Sequence, residues 1–395
     1  CPKPYQAKYA VWPYATTRKK NPYNLDMQTP LYRRIALKIG SNVLTRPDGT
    51  LDITTMSALV DQVALLRKAG VEIAMISSGA VAAGRSELRN MHIQLDSVSA
   101  RQLYSSVGQA KLINRYYELF REHGLTCGQV LTLKESFATR RHYLNQKNCM
   151  EVMLSAGIIP VVNENDTVSV TDLMFTDNDE LSGLVASMLG MQALVILSNV
   201  DGVFTGNPSD PESRLIRTVQ PGADISGCIS RSRSSMGRGG MDTKYRTATK
   251  IAAEGIAVMI ASGKRPGIVT SLLGIGPEPS GSVPHTLFMP GNTATSQMKK
   301  WLAHSEDFAK GILHVNDGAA QAMLDRVGTS LLPVGVTYVE GNFEKDDIVQ
   351  VKDPAGTTIA WGRSGCDAAT AREAIGCRDR RPLIHADYLY TELNT

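Results

Sequence analysis

Between residues 33 and 261, short apolar runs alternate with longer segments whose apolar positions recur every three to four residues. Arg34 to Ile39, Val71 to Ser77, Leu125 to Thr132, Ile158 to Val162, Ala193 to Leu197 and Ile256 to Ala261 read as strands. A run such as Ala193-Leu194-Val195-Ile196-Leu197, apolar at every position, belongs to a strand covered on both faces, as in a parallel sheet. Helical spacing puts Met56, Leu59, Val60, Val63 and Leu66 on one side of a helix that Asp52 or Thr54 would cap and that runs to Gly70. The same spacing predicts helices over Ser97 to Glu122 and Thr139 to Ser155. Two more carry Leu181, Leu184, Val185 and Met188, and Ala248, Ile251 and Ala252. Strands alternating with helices imply an α/β fold: an open, mainly parallel sheet sandwiched by helices.

The pattern changes near the C-terminus. Pro277 to Gln297 is rich in Pro, Gly, Ser and Thr and breaks the alternation. Beyond Trp301 the runs are short: Gly311 to Val315, Gly335 to Val339, Asp347 to Val351 and Thr357 to Trp361 read as strands, with a helix over Asp317 to Val327. The expected division is an α/β domain over 33–288, a linker over 289–299 and a small mostly-β domain over 300–390. Residues 1–32 carry five Lys or Arg, one acid and scattered Pro and Tyr, without the apolar core of a secretory signal. They read as a loosely ordered extension.

Composition narrows the class. An apolar share of 43% and a charged share of 20% are those of an ordinary globular chain. A net charge of +4 gives no basic stripe for nucleic acid or a membrane surface. No apolar run approaches the roughly 20 residues that span a bilayer. The six cysteines lack C-x-x-C spacing, which fits reduced thiols and a cytoplasmic location.

Candidate chemistry gathers where strands end. Asn163-Glu164-Asn165-Asp166 follows a buried strand, and Asp177-Asn178-Asp179 precedes a helix. Sites in open α/β sheets lie beyond the carboxyl ends of the strands. Carboxylates and amides there can grip an ammonium, hydrogen-bond a carboxylate or help order a metal. Helix capping competes for the second cluster, since Thr176-x-x-Asp179 and Asp177-x-x-Glu180 both fit capping boxes. Lys38 precedes the turn Gly40-Ser41-Asn42, and Ser77-Ser78-Gly79-Ala80 is a second turn of small residues. The glycine-rich stretch Ser234 to Asp242 leads to Lys244 on a helix's first turn, a cradle suited to phosphate. Taken singly, these features are ordinarily a solvated lysine, close helix–sheet packing and a mobile loop. No G-x-x-x-x-G-K-[ST] or G-x-G-x-x-G motif occurs, and no Ser/His or Cys/His nucleophile signature accompanies the clusters.

Together, Leu37-Lys38-Ile39-Gly40-Ser41, Ser77-Ser78-Gly79-Ala80, Asn163-Glu164-Asn165-Asp166, Asp177-Asn178-Asp179 and Gly239-Gly240-Met241-x-Thr243-Lys244 resemble the glutamate 5-kinases of the amino-acid kinase family. The resemblance runs from residue 33 to about 390. The C-terminal part is similar to PUA domains through Asp317-Gly318-Ala319-Ala320, Ser330-Leu331-Leu332-Pro333-x-Gly335-Val336 and Glu340-Gly341-Asn342-Phe343.

This resemblance implies ATP-dependent phosphorylation of the L-glutamate side chain, the first step of proline biosynthesis. Mg²⁺ would take part without direct protein ligands. Lys38 and Lys244 would flank the transferring phosphoryl group, and Asp179 would orient them. Ser78, Asp166 and Asn178 would hold glutamate. Lys38, Gly40, Ser41, Ser198, Asn199, Arg238, Gly239, Gly240, Met241, Asp242, Thr243 and Lys244 would serve ATP, with amides of the Gly40-Ser41 and Ser78-Gly79 turns facing phosphate. Feedback inhibition by L-proline and a homo-oligomer, dimer or tetramer, are implied as well. The chain departs from the family at Ser198-Asn199, where Thr-Asp is usual, at Arg238, where Thr is common, and at Ser364 to Asp367, where a Tyr-containing pattern is usual. Two other readings stand beside it: a relative acting on aspartate, acetylglutamate, carbamate or UMP, and an RNA-binding regulatory protein with a weakened kinase domain.

Overall fold

The computed structural model describes residues 29–91, 94–138, 140–168, 177–228, 240–276, 278–291, 309–325, 329–378 and 380–391. The first part runs β1 (Arg34–Ile39), α1 (Ser41–Leu44), α2 (Ile53–Lys68), β2 (Glu72–Ser77), α3 (Ala80–Glu87), α4 (Ser97–Glu122) and β3 (Cys127–Thr132). It continues with α5 (Glu135–Ala138), α6 (Arg140–Ser155), β4 (Ile159–Glu164), α7 (Asn178–Leu189), β5 (Ala193–Ser198) and β6 (Thr218–Val219). α8 (Met241–Ala253), β7 (Ala257–Ser262), α9 (Ile268–Leu272) and β8 (His285–Phe288) complete it.

Its eight strands form one sheet in the order β3-β4-β2-β1-β5-β7-β8-β6. Neighbours are parallel except β7 and β8. β1 lies centrally, between β2 and β5, so the connections leave it in both directions. Such a reversal opens a crevice at the carboxyl ends of the strands.

The side chains of β1 alternate between two cores. Ile35, Leu37 and Ile39 join Met56, Leu59 and Val63 of α2, while Ala36 joins Leu181, Leu184 and Val185 of α7. Ala36 and Ala74 are small, which lets α7 approach the sheet. Lys38 shares the Ala36 face by strand periodicity and therefore points to the α7 side.

Caps set the helix starts. Asp52 accepts from the Thr55 N–H, Asp96 from those of Val98 and Ser99, and Asp177 from those of Asp179 and Glu180. Of the two expected caps of α2, Asp52 is the one used. Gly190, at φ 61°, terminates α7 in the left-handed region that glycine tolerates. α3 and α4 cross at backbone contact: a Cβ on Gly84 would stand 1.8 Å from the Tyr104 carbonyl oxygen, and one on Gly108 1.8 Å from that of Ala80.

The second part consists of β9 (Gly311–Val315), α10 (Asp317–Asp325), β10 (Val336–Gly341), β11 (Ile348–Lys352), β12 (Thr358–Arg363), α11 (Ala368–Ala374) and β13 (Leu389–Thr391). Its sheet runs β10-β9-β11-β12-β13 around a separate core that includes Leu313, Val339, Val351 and Ile384. Apolar periodicity missed β6, β8, α11 and β13. The first two join the sheet through few residues, and α11 buries alanines, a weak apolar signal.

Candidate functional site

The carboxyl ends of β1, β2, β4 and β5 open onto a cavity of about 450 Å³. Lys38 is the fifth residue of β1, Asp179 lies in the first turn of α7, and Lys244 in the first turn of α8. Lys38 Nζ stands 2.5 Å from Asp179 Oδ1, and Lys244 Nζ 2.9 Å from Asp179 Oδ2. Asp179 is 0% exposed, Lys38 4% and Lys244 8%. Burial alone would raise the Asp179 pKa, but the two ammonium groups outweigh it and hold the carboxyl below its ordinary range. One carboxylate thus orients two cations and leaves a surplus positive charge.

Capping and chemistry are divided between neighbours. Asp177 caps α7, which leaves Asp179 free to hold the lysines. Burial, and then the Asp179 charge, push the Asp177 pKa up. Thr176, the other candidate cap, lies outside the described residues.

Asn178, from the same turn, donates to Ser78 Oγ at 2.9 Å and to Asn163 Oδ1 at 3.1 Å. Asn163 in turn donates to Gln109 Oε1 at 2.7 Å, so three elements fix the orientation of these amides. Asp166 and Glu164 meet Arg101 of α4, whose Nε donates to Asp166 Oδ1 at 2.7 Å. Arg101 also donates to Asp166 through Nη2. Ser78, Asp166, Asn178, Ser198 and Asn199 all line the cavity beside Lys38, Asp179 and Lys244.

The expectation that both turns offer their amides to phosphate is corrected in part. The Gly40 N–H donates to Leu197 O at 3.1 Å and the Ser78 N–H to Ile39 O at 3.1 Å, so neither is spare. Ser41 begins α1 and its N–H has no intrahelical acceptor. Gly79 has φ 104°, a conformation that favours glycine, as it caps α3. Gly40 contributes close approach instead: a Cβ there would sit 3.1 Å from Leu197 O and 3.7 Å from Lys38 Nζ.

Ser198 donates to Asn199 Oδ1 at 3.3 Å at the end of β5. On the α8 side, Gly240 donates its N–H to Thr243 Oγ1 at 3.1 Å, and Met241 and Asp242 open the helix. Arg238 and Gly239 lie outside the described residues. Arg101 and Arg85 were not anticipated as cavity residues; both sit on α3 and α4, where their polar spacing matches an ordinary solvated face. Among the described residues no cluster of three or more His, Cys, Asp or Glu could hold a metal ion. No helix among them is long and apolar enough to cross a membrane.

A mainly parallel sheet with a lysine–aspartate–lysine cluster at the carboxyl ends of its strands suits a small-molecule kinase, and the family comparisons assign the chain to that class. The model of the amino acid kinase family matches residues 33–262, and that of the PUA domain residues 311–382. The glutamate 5-kinase of Bacteroides thetaiotaomicron is 60% identical over 361 residues, covering 91% of this chain and 99% of that protein. The glutamate 5-kinase of Chlorobaculum tepidum is 43% identical over 372 residues, covering 93% and 99%. Among solved structures, a carbamate kinase from Giardia lamblia bound to AMP-PNP is 14% identical at a TM-score of 0.47, covering 66% of this chain and 99% of that one. The chain belongs to the glutamate 5-kinase family of amino acid kinases, with a C-terminal PUA domain.

Proposed function

We propose that the protein transfers the γ-phosphoryl group of ATP to the side-chain carboxylate of L-glutamate, giving ADP and L-glutamyl 5-phosphate, the first step of proline biosynthesis. The observation that carries this reading is the pairing of Lys38 and Lys244 on the buried Asp179. A carboxylate with an ordinary pKa of about 4.3 is ionised at neutral pH, so the acceptor needs no general base. One of its oxygens attacks the γ-phosphorus as the bond to the β,γ-bridging oxygen breaks, and no proton moves. The obstacle is repulsion between an anion and a polyanion. Cations held beforehand in a buried site lower that barrier without reorganising during the reaction.

Both Asp179 oxygens are engaged by lysines, which fits a Mg²⁺ bound through the nucleotide phosphates rather than by that side chain. When bound, Mg²⁺ neutralises phosphate charge. Ser78, Asn178 and Asp166 would receive glutamate, and Ser41, Ser198, Asn199 and the segment from Arg238 to Lys244 would receive ATP. By family resemblance the protein is a cytoplasmic homo-oligomer, dimer or tetramer, inhibited by L-proline. RNA binding by the PUA domain has weaker support: its cavity of about 640 Å³ is lined by Asp317 and Asp353 beside His314 and Tyr338. Carboxylates there disfavour a phosphate backbone.

ADP release with Mg²⁺ and ATP, compared for L-glutamate, L-aspartate, N-acetylglutamate, carbamate and UMP with and without L-proline, tests the proposal. Turnover with L-glutamate alone, suppressed by L-proline, is expected. Turnover with a different acceptor in its place overturns the substrate assignment, and inactivity with all of them favours the regulatory reading.

A further inference from the structure

Among the described residues, the cationic side chains that line the cavity are Lys38, Arg85, Arg101 and Lys244. Lys38 and Lys244 are committed to Asp179, at the end where phosphoryl transfer is proposed. Arg85 lies over the Tyr104 ring, 5.6 Å from its centroid. Arg101 lines the same cavity without touching Asp179, paired with Asp166 and 3.4 Å from Glu164 Oε2.

We propose that Arg101 is the receptor for the α-carboxylate of the amino acid, and that the Arg101–Asp166 ion pair opens to admit the substrate's zwitterionic head group. The inference rests on the glutamate kinase reading and names what holds the other end of that substrate.

Three features support it. The first is spacing. In an α-amino acid one carbon separates the ammonium from the carboxylate, so its receptor needs an anion and a cation side by side. Arg101 Nε and Asp166 Oδ1 are 2.7 Å apart. The second is how Arg101 is used. Its Nε and Nη2 both address Asp166 Oδ1, which leaves Oδ2 for an ammonium. A guanidinium fork matches a carboxylate through two parallel hydrogen bonds, a geometry that a single oxygen does not exploit.

The third feature is electrostatic. Asp166 and Glu164 are buried, at 5% and 3% exposure, and a buried carboxylate without a cation is costly. In the free protein Arg101 supplies the cation. On binding, the substrate ammonium takes the place of Arg101 at Asp166, and the substrate carboxylate takes the place of Asp166 at Arg101. Arg101 and Asp166 are each paired before and after. An acceptor with an amidated carboxylate or an acylated nitrogen breaks the exchange and leaves one partner buried and uncompensated.

The fold supports the placement. Arg101 stands two helical turns before Gly108, on the α4 face that meets α3 at backbone contact. The Asp96 cap fixes the start of that helix.

Steady-state kinetics with L-glutamate and its α-amide, which carries the same γ-carboxylate acceptor, test the inference. The wild type, Arg101→Gln and Arg101→Lys are compared at saturating MgATP. Arg101→Gln is expected to lower kcat/KM for L-glutamate on the order of 100-fold, chiefly through KM, as expected for truncating one partner of a charge pair whose carboxylate is buried. Its kcat/KM for the α-amide is not lowered, because Arg101 has no carboxylate to receive from that acceptor; its KM for ATP, measured separately at saturating acceptor, stays within about threefold of wild type, and Arg101→Lys recovers part of the preference for L-glutamate. Equal losses on both acceptors, with wild type active on L-glutamate, would overturn this inference alone and leave Arg101 as a support for Asp166. A wild type inert toward L-glutamate would overturn both this inference and the proposed function. Should Arg101→Gln fail to fold, Arg101→Lys decides: an unchanged ratio of the two acceptors overturns the assignment.

Discussion

Lys38 and Asp179 meet at 2.5 Å in the cavity, with the carboxylate fully buried beneath β1 and α7. Because Lys244 shares it, Asp179 is the only group in contact with both lysines among the described residues. Removing its charge strands two buried ammonium groups. Asp179→Asn is therefore expected to destabilise the protein by roughly 3–5 kcal/mol at pH 7, the usual cost of breaking a buried ion pair. The folded-state pKa of Asp179 is depressed, so its stabilisation is complete above the unfolded value, about 3.9, and is lost as pH falls through the lower folded value. Thermal unfolding of wild type and variant from pH 7 to pH 3 checks this: the gap in Tm should be constant at neutral pH and narrow below about pH 4. A gap independent of pH would show that the charge of Asp179 is not what is lost.

Lys244→Ala tests the chemistry separately from stability. Lys38 still compensates Asp179 in this variant, so the fold should survive. Loss of one preorganised cation is expected to cut kcat by about 10²–10³-fold or more. Pre-steady-state ADP formation with saturating substrates is the measurement, with circular dichroism to confirm the fold. A kcat within tenfold of wild type would remove Lys244 from the machinery.

Asp166→Ala addresses a different part of the cavity lining, the carboxylate held by Arg101. The KM for L-glutamate should rise about 30-fold or more, in line with loss of a charged hydrogen bond, while the KM for ATP stays within about twofold. Equal increases in both would refute Asp166 as an amino-acid contact.

Gly108→Ala probes the helix crossing that carries Arg101. Its Cβ would lie 1.8 Å from Ala80 O and 2.5 Å from Gly84 N, backbone atoms that a rotamer change cannot move. The helices must separate, at an expected cost of ~3 kcal/mol or more. A differential scanning experiment showing an unchanged Tm would mean that the two helices slide freely.

The central strands and long helices were legible because full burial and helical period leave strong apolar patterns, as in Ala193–Ser198 and Ser97–Glu122. The face that Lys38 occupies was not read from the sequence: only the packing of Ala36 against α7 shows that the alternation of β1 turns Lys38 to that side. The first polar cluster was legible for a different reason, since four consecutive carboxylates and amides exceed what a turn uses, although the structure places Asn163 and Glu164 in the last two positions of β4 and only Asn165 and Asp166 beyond it. Arg101 was not legible. On α4 an arginine amid Ser, Gln and Lys looks solvated, and only the glycine crossing brings it over Asp166. The engaged amides of Gly40 and Ser78 were hidden likewise, because their acceptors, Leu197 and Ile39, come from strands paired at long range.

Lys244 and Asp179 are 65 residues apart in the chain, and Lys38 joins them from the first strand. No continuous fragment short of most of the α/β domain contains all three. Bringing such distant segments together is slow relative to forming local helices. The lysine–aspartate–lysine cluster therefore comes into being only when β1, α7 and α8 have all docked, late in assembly. A nascent chain that has emerged through α7 carries the polar clusters but lacks the second lysine. Catalytic competence is thus a built-in reporter of completed folding, and regain of turnover should lag regain of helical signal when the denatured protein is refolded.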